Sequence, residues 1–171
     1  VLCPMNRGGL GSRSLNIELQ KALNPDPKVK IERFGSTYAP FDKVMVTTND
    51  YDKDVFNGDI GFIKHLDLTE QEATIDFDGR EVLFDFSDFD ILSLAYATSI
   101  HKSQGSEYPA VVLPISMQHF MMLKRNLIYT GIKRRKKLVV VIGQKKALAM
   151  AVKSKNQSER WNKLGERLKC I

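Results

Sequence analysis

The sequence predicts an α/β fold in which helices and strands alternate, interrupted by a small inserted β-barrel or meander. Charge divides the chain first: residues 37–93 hold 4 Lys/Arg against 14 Asp/Glu, a net of −10, and the remainder holds 22 against 6, a net of +16. Hydrophobic period divides it at nearly the same places, helical at the start, alternating in the middle and mixed after Ala97. Turn pairs separate the short apolar runs of the middle segment, as in a strand-and-turn unit.

Val1–Pro4 reads as the apolar end of a strand running into a loop. Leu15, Leu19, Ala22 and Leu23 then fall at helical spacing after Ser12 and Ser14, and the run stops at Asn24-Pro25, so the spacing predicts an amphipathic helix over Ser12–Leu23. A loop with Pro25 and Pro27 follows. The strands come next: FDKVMVTT, NGDIGFIKHL opened by Asn57-Gly58, EATIDF and REVLF joined by Asp78-Gly79, and FDILSLAYA. Phe41, Phe62, Phe77, Phe84, Phe86 and Phe89 are expected in their core. Beyond Ala97 we expect a short helix over Ser99–Ser103, a buried strand Ala110–Ile115, a helix from His119 to Tyr129, a strand Leu138–Ile142, and a helical stretch from Lys145 onward with Trp161 as a packing anchor.

Composition narrows the function classes. No apolar run approaches the roughly 20 residues of a membrane helix, which excludes that kind of membrane-spanning role. Cys3 and Cys170 stand apart with no CxxC and no histidine at metal spacing, so no metal site and no disulfide framework are indicated, and a reducing, cytoplasmic location is the expectation. The chain opens on Val1 without an initiator methionine, and we expect a piece of a longer protein. The basic share is densest after Met122, in Lys124, Arg125, the run 133–137, Lys145, Lys146, Lys153 and Lys155, which suits a phosphate-rich partner. In the acidic insert any nucleic-acid contact is expected on one face, near Lys43, Lys53 or Lys64, and protein docking is at least as good a use for it.

The stretch AYATSIHKSQGSEYP, residues 95–109, crowds polar groups between two apolar runs. At the mouth of a strand in an open α/β sheet, His101, Lys102, Gln104 and Glu107 would sit on a ligand-binding rim, with Gly105 letting backbone N–H groups approach an anion and Ser103 and Lys102 supplying phosphate contacts.

TSIHKSQGSEYPAVVLPI resembles motif V of the superfamily 1 DNA helicases, and RNLIYTGIKRRKKLVVVIG resembles their motif VI with its following strand. VLCPMNRGGLGSRSLNIELQKALNP is similar to the motif IV region of the RecD-like branch, which includes the alpha subunit of exodeoxyribonuclease V and the helicase segment of conjugative relaxases. The resemblance implies a second RecA-like (P-loop NTPase-type) parallel-sheet motor domain over residues 1–36 and 94–171, with an SH3-like barrel inserted over residues 37–93. It also implies ATP and Mg²⁺, bound mainly by a first motor domain outside this sequence, unwinding in the 5′ to 3′ direction for recombination or repair, single-stranded and duplex DNA as partners, and other exodeoxyribonuclease V subunits as further partners.

Position by position, the resemblance implies that Arg134 is the arginine finger on the ATP γ-phosphate, that Gly105 and Glu107 touch the nucleotide, and that Arg7 is a second γ-phosphate contact. Thr98, His101, Lys102 and Ser103 fall at single-strand DNA contacts. The family pattern T-R-A is replaced here by Lys133-Arg134-Arg135, two extra cations beside the finger. No GxxxxGK[ST] occurs, so the chain alone is expected not to hydrolyse ATP. The alternatives are a non-catalytic nucleic-acid- or protein-binding module, or the helicase part of a conjugative relaxase.

Overall fold

The computed structural model describes residues 1–154; the expected packing of Trp161 and the position of Lys155 lie outside them. In chain order the elements are β1 (Leu2–Cys3), α1 (Ser12–Leu23), a hairpin of β2 (Ile31–Arg33) and β3 (Ser36–Tyr38), then β4 (Lys43–Val46), β5 (Ile60–Asp67), β6 (Glu72–Phe77) and β7 (Arg80–Asp85). A 3-10 turn over Phe86–Ile91 leads into β8 (Leu92–Leu94), followed by β9 (Thr98–Ser99) and β10 (Tyr108–Ile115). A second 3-10 turn over Met117–Met122, α2 (Arg125–Lys133), β11 (Arg135–Gly143) and α3 (Lys145–Lys153) complete it.

The middle strands form one antiparallel sheet in the order β7-β6-β5-β4-β8, with Asp78-Gly79 closing the β6–β7 hairpin as its sequence predicts. Alternation does what the pattern promised along β6, where Ala73, Ile75 and Phe77 turn inward onto Val44, Val46, Ile63 and Phe84. The sheet does not close into a barrel through hydrogen bonds. Between its two edge strands stands the 3-10 turn of Phe86–Ile91, whose Phe86 and Phe89 fill the gap with Phe89 edge-on to Tyr38 at 5.0 Å. The same apolar cluster takes in Val29, Ile31 and Tyr38. Two of the six phenylalanines expected inside are outside: Phe41 is 76% exposed, turned out on backbone at φ 72°, and Phe62 occupies the outer face of β5 beneath the Lys43 ammonium.

The flanking segments build a separate layer. β1 pairs in parallel with β9, β10 pairs in parallel with β11, and β1 lies against β10. One face of this layer packs Val111, Leu113 and Ile115 against Leu127 and Ile128 of α2 and Ala147 and Ala151 of α3. The opposite face looks outward, with Leu138, Val140 and Ile142 exposed, and β11 has β10 as its one strand partner among the described residues. Two expected helices are corrected. Ser99–Ser103 begins on β9 and continues as tight turns, because Ser103 Oγ donates to the Ile100 carbonyl and Ser99 Oγ accepts from the Lys102 amide, local bonds that compete with a helix. His119–Tyr129 is not one helix either: Ser116 Oγ and the His119 ring cap a 3-10 turn, the chain straightens at Lys124 (φ −111°, ψ 143°), and α2 starts afresh.

Helix α1 has the predicted bounds; of its predicted apolar stripe Leu15 and Leu19 are half-buried, and Ala22 and Leu23 are exposed. Leu23 is 66% exposed and Ile17 52% exposed, while a ladder of amides at i, i+4 and i+8 faces the insert. Asn16 Nδ2 donates to the carbonyls of Leu94 and Ala97, and its Oδ1 accepts from the Ala97 amide at 2.7 Å. Gln20 donates to the Thr37 carbonyl and to Asp42 Oδ2, and Asn24 donates to the Pro40 carbonyl and to Asp42 Oδ1. Asp42 is fully buried and makes no salt bridge among the described residues; the Ala39 amide and the Tyr96 hydroxyl supply its other two bonds. Burial and the Asp42 hydrogen bond push the Tyr96 phenol above its ordinary pKa.

Candidate nucleotide and nucleic-acid rim

Residues 100–107 run from β9 to the start of β10 as consecutive turns closed by Ser103 N–H on the Ser99 carbonyl, Gln104 on His101 and Ser106 on Ser103. Gly105 sits at φ 91°, a conformation that a side chain would strain by about 1 kcal/mol or more, and this lets the chain reverse with Glu107 exposed beside it.

Arg134 caps the C-terminus of α2 at the same rim. Its carbonyl accepts from the Tyr108 amide at 2.8 Å and its Nη1 donates to the Ser106 carbonyl at 3.4 Å, so its backbone and side chain both fasten onto the segment between Gly105 and Tyr108. Its Nε is buried without a protein partner. A guanidinium carries five N–H donors, and among the described residues this one commits a single hydrogen bond, which leaves capacity for an oxyanion. The neighbouring cations turn away from it: Lys133 Nζ lies 4.7 Å from the Tyr129 ring centroid, and Arg135 Nη1 donates to the Ile132 carbonyl.

The expected DNA contacts divide into two pairs. His101 and Lys102 are exposed on the turn. Ser103 is fully buried with its hydroxyl spent on Ile100, and Thr98 is 9% exposed beneath β1, so neither presents a group to a strand passing over the rim. Their chemistry is structural: one ties the turn, the other pairs β9.

Arg7 is not brought to this rim. It is exposed on the loop after β1, which leans on the segment following β10, since a Cβ at Gly9 would lie 3.8 Å from Gln118 Oε1. Arg134 is fastened at the Tyr108 end of β10, whose eight residues separate the two ends by roughly 23 Å. In the insert, Lys53 is paired with Asp88 at 3.0 Å and Asp50 at 3.3 Å, and Lys64 with Glu81 at 2.8 Å and Asp76 at 3.5 Å. Lys53 and Lys64 are thus engaged with carboxylates of the insert, and Lys43, the third lysine named for such a contact, has its Nζ 5.5 Å from the Phe62 ring centroid. The anchors of Arg134, the Ser106 carbonyl and the Tyr108 amide, were not foreseen, because backbone groups leave no residue-type signal.

Residues 15–77 match the family described as the ATP-dependent RecD-like DNA helicase SH3 domain, and residues 94–142 match the UvrD-like helicase C-terminal domain. Among individual relatives, the ATP-dependent RecD2 DNA helicase of Deinococcus radiodurans is 35% identical over 171 residues, covering 99% of this chain and 23% of that protein. The RecBCD enzyme subunit RecD of Haemophilus influenzae is 31% identical over 152 residues, covering 89% of this chain and 22% of that protein. The chain therefore spans less than a quarter of the length of these two relatives. Among solved structures, a Bacteroides Pif1 helicase in complex with ADP-AlF3 and ssDNA has a TM-score of 0.56 at 19% identity, covering 75% of this chain and 37% of that one. A Candida albicans Pif1 helicase has a TM-score of 0.55 at 16% identity, covering 83% of this chain and 45% of that one. These likenesses establish the fold, a RecA-like α/β domain with an SH3-like domain. With both parts matched, in order and over the rim just described, this chain belongs to the RecD-like DNA helicases.

Proposed function

We propose that the chain acts as the second motor lobe of an ATP-dependent helicase, lending an arginine finger and part of a single-strand grip to an ATP site whose other walls lie outside these 171 residues. The carrying observation is the double attachment of Arg134 to the Ser106–Tyr108 segment, which makes the guanidinium and the turn of Gly105 and Glu107 one rigid piece. Its uncommitted N–H groups fit a phosphate oxygen. Bound ATP with Mg²⁺ would supply the phosphoryl group and the negative charge this piece is built to face. Arg134 would neutralise developing charge, Gly105 would admit the nucleotide closely, and Glu107 would orient it, with closure of the two lobes bringing them into place.

His101 and Lys102 would hold the backbone of a single strand without reading bases, in keeping with the excess of cations outside the insert. The 5′ to 3′ direction and the place in recombination or repair follow from the resemblance. The acidic insert, with Lys53 and Lys64 neutralised by its own carboxylates, suits a basic protein partner such as another subunit of an exodeoxyribonuclease V-type complex. Without a phosphate-cradling loop the chain by itself should hydrolyse no ATP.

In the longer protein, Arg134→Ala should lower DNA-stimulated ATP turnover by about a thousandfold or more while leaving affinity for single-stranded DNA nearly intact. Unchanged turnover would reject the finger and favour a non-catalytic binding module.

A further inference from the structure

We infer that Asn16 is a positioning residue: with Gln20, Asn24 and Asp42 it clasps both crossings of the insert and thereby sets the placement of the turn that carries His101 and Lys102. This rests on the reading of that turn as a DNA contact. Side-chain amides of α1 bond both to the stretch from Thr37 to Asp42 that leads into β4 and to the stretch from Leu94 to Ala97 that follows β8.

On the return crossing the Asn16 amide takes the place of a neighbouring strand. Between β8, which ends at Leu94, and β9, which starts at Thr98, the Ala95 amide donates to the Lys43 carbonyl, and the Asn16 side chain adds one acceptor and two donor contacts on either side of it. Thr98 and Ile100 then donate to the carbonyls of Val1 and Cys3, and the exposed pair His101 and Lys102 follows at once. The Ala97 amide, held at 2.7 Å, is the last contact of α1 before β9 and that pair. Asp42 does the corresponding work from the other side, because Tyr96, one residue before Ala97, donates to the same Oδ1 as Asn24 of α1. Apolar contact slides at little cost, whereas directional amide bonds register one element on another. The arrangement makes the insert and the turn report each other's position.

The test is amide hydrogen exchange on the full 171-residue chain, paired with affinity for a fluorescent oligo-dT strand. Asn16→Ala should speed exchange at Thr98 and Ile100 by about tenfold or more, a local opening that leaves β5 and β6 as protected as before. Oligo-dT affinity should fall together with it, and Ile17→Ala, one position away and exposed, should change neither. Unchanged exchange at Thr98 and Ile100, or equal acceleration across β5 and β6, would overturn the inference. If Asn16→Ala fails to fold, Asn16→Asp, which keeps the acceptor for Ala97 and loses both donors, gives the same contrast. Lys102→Ala separates the two readings: if it leaves oligo-dT affinity unchanged while Asn16→Ala still loosens Thr98 and Ile100, the clasp stands and the DNA reading of the turn falls.

Discussion

Replacing Asp42 by asparagine changes a buried group by one atom and should be costly. The pocket supplies four donors and no acceptor: Asn24 and the Tyr96 hydroxyl to Oδ1, Gln20 and the Ala39 amide to Oδ2. An asparagine keeps one acceptor and must set an NH₂ against two donors. The Tyr96 hydroxyl can rotate to accept, so the NH₂ belongs on the Oδ1 side, where the bond from Asn24 is lost and that from Tyr96 is reversed. Bonds to a charged acceptor are worth about 1.5–3 kcal/mol each, and relief of the buried charge offsets part of the loss, giving about 2 kcal/mol for Asp42→Asn. Asp42→Ala removes the acceptor from all four donors, leaving the buried Ala39 amide without a partner while Gln20 and Asn24 keep their carbonyls, and should cost about 3–5 kcal/mol. For a chain of this length, 2 kcal/mol lowers the melting temperature by roughly 4–8 °C. Thermal melts followed by circular dichroism, with Tyr96→Phe as a control costing about 1 kcal/mol, give the order Ala, then Asn, then Phe. An Asp42→Asn chain melting within about 1 °C of the parent would refute the acceptor-only account.

Two further outcomes follow from single positions. A Cβ on Gly143 would lie 1.8 Å from the Ile115 carbonyl oxygen, so Gly143→Ala must push β11 off β10 and should cost about 3 kcal/mol or more in a urea titration. His119 is 2% exposed with Nε2 unpartnered, and burial lowers its pKa below the ordinary 6.5. The folded chain thus resists a proton that the unfolded chain takes, so stability should hold above about pH 6.5 and fall below it, by up to about 1.4 kcal/mol per pH unit. His119→Gln should flatten that slope between pH 7 and about 5.5.

The strands of the insert were legible because each carries its own period of two and its own turn, Asp78-Gly79 being the clearest. The bounds of α1 were legible for the same local reason, but its orientation was not. Reading Leu15, Leu19, Ala22 and Leu23 as the inward stripe assumes that helices dock by apolar contact, and this one docks by Asn16, Gln20 and Asn24. Nothing local marks Leu123-Lys124 as a break, since neither glycine nor proline stands there; the cap formed by Ser116 and His119 decides it. At the rim, Arg134 is bonded to the Ser106–Tyr108 segment beside Gly105 and Glu107, while Thr98 and Ser103 are buried, a property the residue types do not disclose.

The outward apolar residues of β11 carry a practical consequence for handling the chain. Among the described residues β11 is open along one edge with Leu138, Val140 and Ile142 exposed, and such a strand is a template on which copies can stack. Arg135, Lys136 and Lys137 guard its entrance by mutual repulsion between molecules, and salt weakens that guard as the screening length shrinks from about 10 Å at 0.1 M to about 3 Å at 1 M. Concentrated brine, usually a remedy for sticky basic proteins, should therefore make this one precipitate.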